Sequence, residues 1–159
     1  MEPIFPKPNY ISTIWAGNRL SKIRGLHPDK PIGISREVCV YKGVENVIEG
    51  GEFDSVNLRT LIDEHHGEVM GDDSEHEMIR IAYMDSVDDL SIQVHPGEEY
   101  ADKVGDREKS ESWYILDADP SAYVVAGTTA TSKEELIKAA ETDSICDYAI
   151  HLPVKKGDY

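Results

Sequence analysis

Residues Leu90 to Ala101 read LSIQVHPGEEYA, and the fold and the chemistry of this chain both turn on how that stretch is understood. Five residues with Ile and Val at alternate positions, ended by Pro96-Gly97, have the form of a short half-buried strand. Successive side chains on a strand point to opposite faces, so Ser91, Gln93 and His95 share one face while Ile92 and Val94 share the other. A polar triplet therefore faces one way, just before a sharp turn. On an edge strand that face is simply wet, and a lone histidine is more often a hydrogen-bonded structural residue than a ligand.

Sixteen residues after His95 comes Glu111, followed by the apolar Trp113-Tyr114-Ile115-Leu116 and preceded by Lys109. A glutamate at the mouth of a hydrophobic strand is costly to bury alone, so its partner is solvent, a cation or a metal. Placed on neighbouring antiparallel strands, Gln93, His95 and Glu111 offer an amide oxygen, an imidazole nitrogen and a carboxylate. That donor set suits zinc or another borderline divalent ion and leaves a position for a fourth ligand, water or substrate.

Further strands are expected at Glu37 to Lys42, Ile79 to Met84, Glu111 to Leu116 and Ala122 to Ala126, each enriched in Val, Ile, Tyr or Trp. Helices are expected over Val56 to His66, with Leu58, Leu61 and Ile62 on one face, and over Ser132 to Glu141. In the second of these Ser132 and Glu135 stand at capping-box spacing. A third short helical turn is expected at Glu98 to Val104. Glycine and proline clusters punctuate the rest, with no internal repeat and no linker. A mainly β fold with two or three short helices follows, a sandwich or barrel formed as one domain over residues 1–159.

Of the 159 residues, 31 are acidic and 16 basic, a formal net charge of −15. The charge is uneven: residues 1–42 hold seven basic and three acidic side chains, and residues 63–119 hold four basic and eighteen acidic. Nucleic acid is a poor partner for such a surface, because binding it requires a basic face that neutralises phosphates. No apolar run reaches the roughly 18 residues a membrane helix needs, and the opening MEPIFPKPNY lacks the pattern of a secretion signal. The cytoplasm is the expected compartment, with Cys39 and Cys146 as separate reduced thiols. His65-His66 with Glu64 and Glu68, and His76 between Glu75 and Glu77, are secondary metal candidates in acidic, glycine-bordered stretches. His151 is a weaker one.

The runs DDLSIQVHPGEEYA (Asp88 to Ala101), KSESWYILD (Lys109 to Asp117) and AGTTATSKEEL (Ala126 to Leu136) resemble the type I mannose-6-phosphate isomerases, zinc-dependent cupins. The early IWAGNRL (Ile14 to Leu20) is similar to that family's opening segment, so the likeness spans nearly the whole chain. It implies a cupin-like, jelly-roll β-sandwich whose carboxy-terminal strands are missing. It also implies Gln93, His95 and Glu111 as three of four ligands to one zinc ion. Trp15, Ser91 and Lys109 fall at substrate-pocket positions, with Lys109 as the catalytic candidate. The implied substrate is a phosphorylated hexose, interconverted between mannose 6-phosphate and fructose 6-phosphate through an enediol.

Departures from the family pattern carry equal weight. Ala82 stands where relatives usually carry a lysine, with Arg80 nearby. The final KKGDY (Lys155 to Tyr159) resembles the turn leading into a second motif whose histidine is the fourth zinc ligand, and that histidine is absent from these residues. The chain is thus expected to be a truncated or impaired isomerase, or alternatively a non-catalytic cupin that binds metal or sugar phosphate. A homo-oligomer or a completing partner chain would supply the missing strands.

Overall fold

In the computed structural model, which describes residues 2–74, 78–105 and 108–159, the chain divides into two compact units, residues 1–90 and 91–159. The first unit is organised by three antiparallel strands in the order β1-β2-β3: β1 is Asn9–Ser12, β2 is Ile32–Val38 and β3 is Ile81–Met84. Register runs Tyr10 to Ser35 and Ile11 to Ile34 on one side of β2, and Ile34 to Met84 and Ser35 to Tyr83 on the other. Strand β2 begins five residues earlier than the Val-rich run Glu37 to Lys42 suggests. The cause is Gly33, which looks like a loop residue in sequence but here is a packing requirement. A methyl group at its Cα would sit 2.1 Å from the Thr13 hydroxyl and 2.8 Å from the Trp15 ring, so only glycine lets that ring cross the strand.

Helix α1 (Arg19–Arg24) joins β1 to β2 and ends in a left-handed Gly25, whose N–H and that of Leu26 bond back to the carbonyls of Lys22 and Ser21. Its N-cap residue, Asn18, makes no side-chain cap. The Asp85 carboxylate serves instead, reaching across from just beyond β3 to accept the Leu20 N–H at 2.8 Å. Arg24, in the last turn, pairs with Glu37 of β2 at 2.8 Å and lies over the Tyr83 ring.

Helix α2 (Leu58–Glu64) is opened by Asn57, whose side chain accepts the Arg59 N–H, and it turns Leu58, Leu61 and Ile62 inward. The apolar face read from Val56 to His66 is therefore present, although the helix breaks at His65 and resumes as α3 (His66–Val69). With Leu20, Ile32, Cys39 and Ile48, those three residues form the buried core of this unit. At its centre is Asn46, fully buried, which donates to the carbonyl oxygens of Lys7 at 2.8 Å and Arg36 at 2.9 Å. Its backbone bonds Cys39 and Leu58 as well.

The second unit holds α4 (Glu98–Val104), β4 (Tyr123–Thr128), α5 (Lys133–Glu141), a 3₁₀ turn (Ile145–Tyr148) and β5 (Ala149–Pro153). Strands β4 and β5 pair antiparallel as a two-stranded ribbon, with Val124 opposite Leu152. Helix α5 follows the capping-box expectation: the Ser132 hydroxyl accepts the Glu135 N–H, while the Glu135 carboxylate reaches back to the Thr131 N–H at 2.7 Å. Two expected strands, Leu90 to His95 and Glu111 to Leu116, are not strands: neither forms a hydrogen-bonded ladder among the described residues. Ile115 bonds the chain's last residues instead, donating its N–H to the Asp158 carbonyl and accepting the Gly157 N–H, each at 2.8 Å. Apolar side chains along these segments remain open, Val94 at 87% and Tyr114 at 64% exposure, and the buried apolar residues of this unit are Ala101 and Ala139.

No described helix is long and apolar enough to cross a membrane. Cys39 is a buried free thiol and Cys146 an exposed one. Replacing Asn46 by alanine strands two inward carbonyls, each costing about 1–3 kcal/mol. Asn46→Ala is expected to lower stability by about 3 kcal/mol in urea unfolding, whereas Asn9→Ala, at a more exposed pair of bonds, should cost under about 1 kcal/mol.

Candidate metal and substrate site

The second unit brings three of the singled-out side chains to one point. After the segment Ser91 to His95, an extended Gly97 stands at the N-cap of α4, whose first turn carries Glu98 and Glu99, favourable at a helix N-terminus. Lys103 in its last turn covers the Tyr100 ring, and Gly105 in a left-handed conformation ends the helix. The chain then returns toward the segment it left, so that Lys109 and Glu111 meet His95.

The contacts are short. Glu111 Oε2 lies 2.8 Å from His95 Nε2, Lys109 Nζ lies 2.7 Å from Glu111 Oε1, and the same ammonium lies 3.0 Å from His95 Nε2. All three side chains are about a quarter to two-fifths exposed. One imidazole nitrogen thus faces both a donor and an acceptor. If Nε2 carries the proton it satisfies Glu111 and repels the ammonium; if it holds a lone pair it satisfies Lys109 and repels the carboxylate. Partial burial pushes the Glu111 carboxyl up, but hydrogen bonds from Lys109 and His95 and their positive charges outweigh it, leaving the group below its ordinary value of 4.5.

Neighbouring Gln93 donates its amide to the Ser91 hydroxyl at 2.9 Å, which agrees with both lying on one side of the segment. Trp15 belongs to the first unit, half-buried over Gly33. Sequence spacing indicates that Lys109 and Glu111 can pair. It holds no signal for the second contact of Lys109, to His95, because that depends on how α4 folds the chain back.

The other candidates have different company. His65 bonds Glu68 at 3.3 Å and packs edge-on against Phe53, a structural role at the α2–α3 break. His151 packs edge-on against Tyr123. The group Glu75, His76 and Glu77 lies outside the described residues. Arg80 stacks over the Tyr41 ring, and Ala82 pairs with Arg36 in the β2–β3 register. Among the described residues no three His, Cys, Asp or Glu side chains converge as a metal-binding group. A site built on His95, Glu111 and the Gln93 amide holds only two such residues.

The donor chemistry at His95 and Glu111 nonetheless fits a divalent ion. An imidazole lone pair and a carboxylate oxygen aimed at each other share one acceptor need, which a cation between them answers for both.

No protein-family model matches this chain. Curated relatives do: it is 31% identical over 161 residues to the mannose-6-phosphate isomerase ManA of Bacillus subtilis and 34% identical over 164 residues to the mannose-6-phosphate isomerase of Streptococcus mutans. Each alignment takes in 99% of this chain. Among solved structures, the crystal structure of the mannose 6-phosphate isomerase from Bacillus subtilis superposes with a TM-score of 0.85 at 28% identity, again over 99% of this chain. The chain is similar to mannose-6-phosphate isomerases over nearly its whole length. It spans about half the length of the relatives it matches, 51% in each of these comparisons. The fold follows that of the Bacillus enzyme over that half, with antiparallel sheets and no closed barrel among the described residues.

A depressed Glu111 carboxyl stabilises the fold above its ordinary value and loses that contribution as pH falls through the lowered one. Carbon-detected NMR titration is expected to place the Glu111 midpoint below 4.5, and Lys109→Met should move it upward. An unmoved midpoint in that variant would remove Lys109 as a cause.

Proposed function

We propose that this chain carries the sugar-handling and metal-binding part of a mannose-6-phosphate isomerase, acting on mannose 6-phosphate and fructose 6-phosphate. The observation that supports it most directly is the meeting of Lys109, His95 and Glu111 within 3.0 Å of one another, in a chain similar to such isomerases over 99% of its length. Gln93, His95 and Glu111 would hold zinc, with a fourth donor not among these 159 residues. Bound there, zinc would act as a Lewis acid toward the oxyanion that develops on the sugar.

The residues themselves account for the remaining requirements. Aldose–ketose isomerisation moves a proton between adjacent carbons while the carbonyl migrates from C1 to C2, so a proton carrier and an oxygen-directed donor are needed. Lys109 supplies a donor that can bond a sugar oxygen, and it is the candidate for carrying the proton. Ser91, already a hydrogen-bond partner of Gln93, would orient a hydroxyl of the substrate. A cytoplasmic enzyme fits this chemistry. A completing chain or a second copy would contribute what the 159 residues do not.

Metal analysis and a coupled isomerase assay test the reading. The purified protein is expected to bind about one zinc, to lose it in Glu111→Ala and His95→Ala, and to turn over mannose 6-phosphate near background. Unchanged metal content in Glu111→Ala sinks the ligand assignment. Turnover comparable to the Bacillus subtilis enzyme would show that no fourth donor from outside these residues is required. Retained sugar-phosphate binding with no turnover in any assembly favours a non-catalytic binding protein.

A further inference from the structure

We infer that Lys109 sets the metal affinity of this cluster by contending with the ion for His95 Nε2 and the Glu111 carboxylate. The inference rests on the metal assignment proposed above and extends it to a residue outside the ligand set. Its basis is geometric. Lys109 Nζ stands 3.0 Å from the nitrogen and 2.7 Å from one carboxylate oxygen, while the other carboxylate oxygen stands 2.8 Å from that same nitrogen. The ammonium thus draws on the electron pairs a divalent ion needs at both donors.

Two consequences follow from elementary electrostatics. An entering cation must displace the ammonium from His95 and loosen it from Glu111, forfeiting two charge-assisted contacts. The displaced ammonium remains tethered within a few ångströms, a like charge in a partly shielded site where repulsion is only partly screened. Both effects lower affinity, and both vanish when Lys109 is replaced by an uncharged side chain of similar length. Displacement also hands Lys109 to the substrate: the ion that takes the donors frees the ammonium to bond a sugar oxygen. Loading the metal and arming the lysine become one event.

Zinc titration against a chromophoric chelator at fixed ionic strength decides the matter. Lys109→Met is expected to bind zinc about tenfold more tightly than the unaltered protein. Lys109→Arg, which keeps the charge, should stay within about threefold of it. Glu111→Gln should weaken binding at least about tenfold both in the unaltered protein and when combined with Lys109→Met, which separates this inference from the metal assignment. Equal or weaker binding by Lys109→Met, with Glu111→Gln still damaging, overturns the competition and leaves the site standing. No effect of Glu111→Gln removes the site, and the competition with it.

A second readout needs no substitution. Coupling between ion and ammonium is reciprocal. Acylation of Lys109 by a small anhydride, followed by mass spectrometry, should therefore increase when zinc is added, relative to Lys133 and Lys138 on α5. Unchanged or reduced labelling of Lys109 overturns the proposal.

Discussion

One buried amide holds the first unit together. Asn46 lies in a loop, yet it is fully buried, and its two side-chain N–H groups reach carbonyls on segments that precede β1 and lie within β2. Its own backbone ties Cys39 to the start of α2. Few side chains can do this, because the role needs two donors in one plane and no charge. The segment before β1, the middle of β2, the residue after it and the first residue of the helix carrying Leu61 and Ile62 are thus bonded to one residue.

The candidate site obeys a different constraint. Its three polar side chains bond one another, brought together by the path of the chain around α4. His95 Nε2 cannot satisfy Glu111 and Lys109 with a single proton, and that unresolved demand is the chemical character of the site. Structural ion pairs relieve such conflicts, whereas sites built for an exchangeable cation or substrate keep them.

Much of this was legible in sequence where local chemistry decides structure. Ser132 and Glu135 announce α5, Pro96-Gly97 announces α4, and Leu58, Leu61 and Ile62 mark the buried face of α2. Legibility failed where a distant residue overrides the local signal. Gly33 suggests a loop until the Trp15 ring is seen against it; Asn9 to Ser12 follows a proline cluster yet pairs with β2; α1 lacks its own cap and uses Asp85 instead. The segments Leu90 to His95 and Glu111 to Leu116 have strand-like composition, but a strand exists only with a neighbour to bond, and the described residues provide no ladder for either. At the site, Ser91 and Gln93 do bond each other, although the strand whose alternation was to bring them to one face does not form. The meeting of Lys109 with His95 is a tertiary event and invisible to spacing.

The two-stranded ribbon of β4 and β5 has a consequence for how this polypeptide behaves in a crowded solution. Among the described residues each strand bonds only the other, and Tyr123, Val125 and Leu152 are all more than two-fifths exposed. Such an edge is a template on which further strands can add. The ribbon's own strands carry no Asp, Glu, Lys or Arg, but residues 91–159 hold fourteen acidic and seven basic side chains, so copies of this unit repel one another by net charge. The acidity that disfavours nucleic acid thus has a second effect, discouraging an open ribbon from stacking on copies of itself.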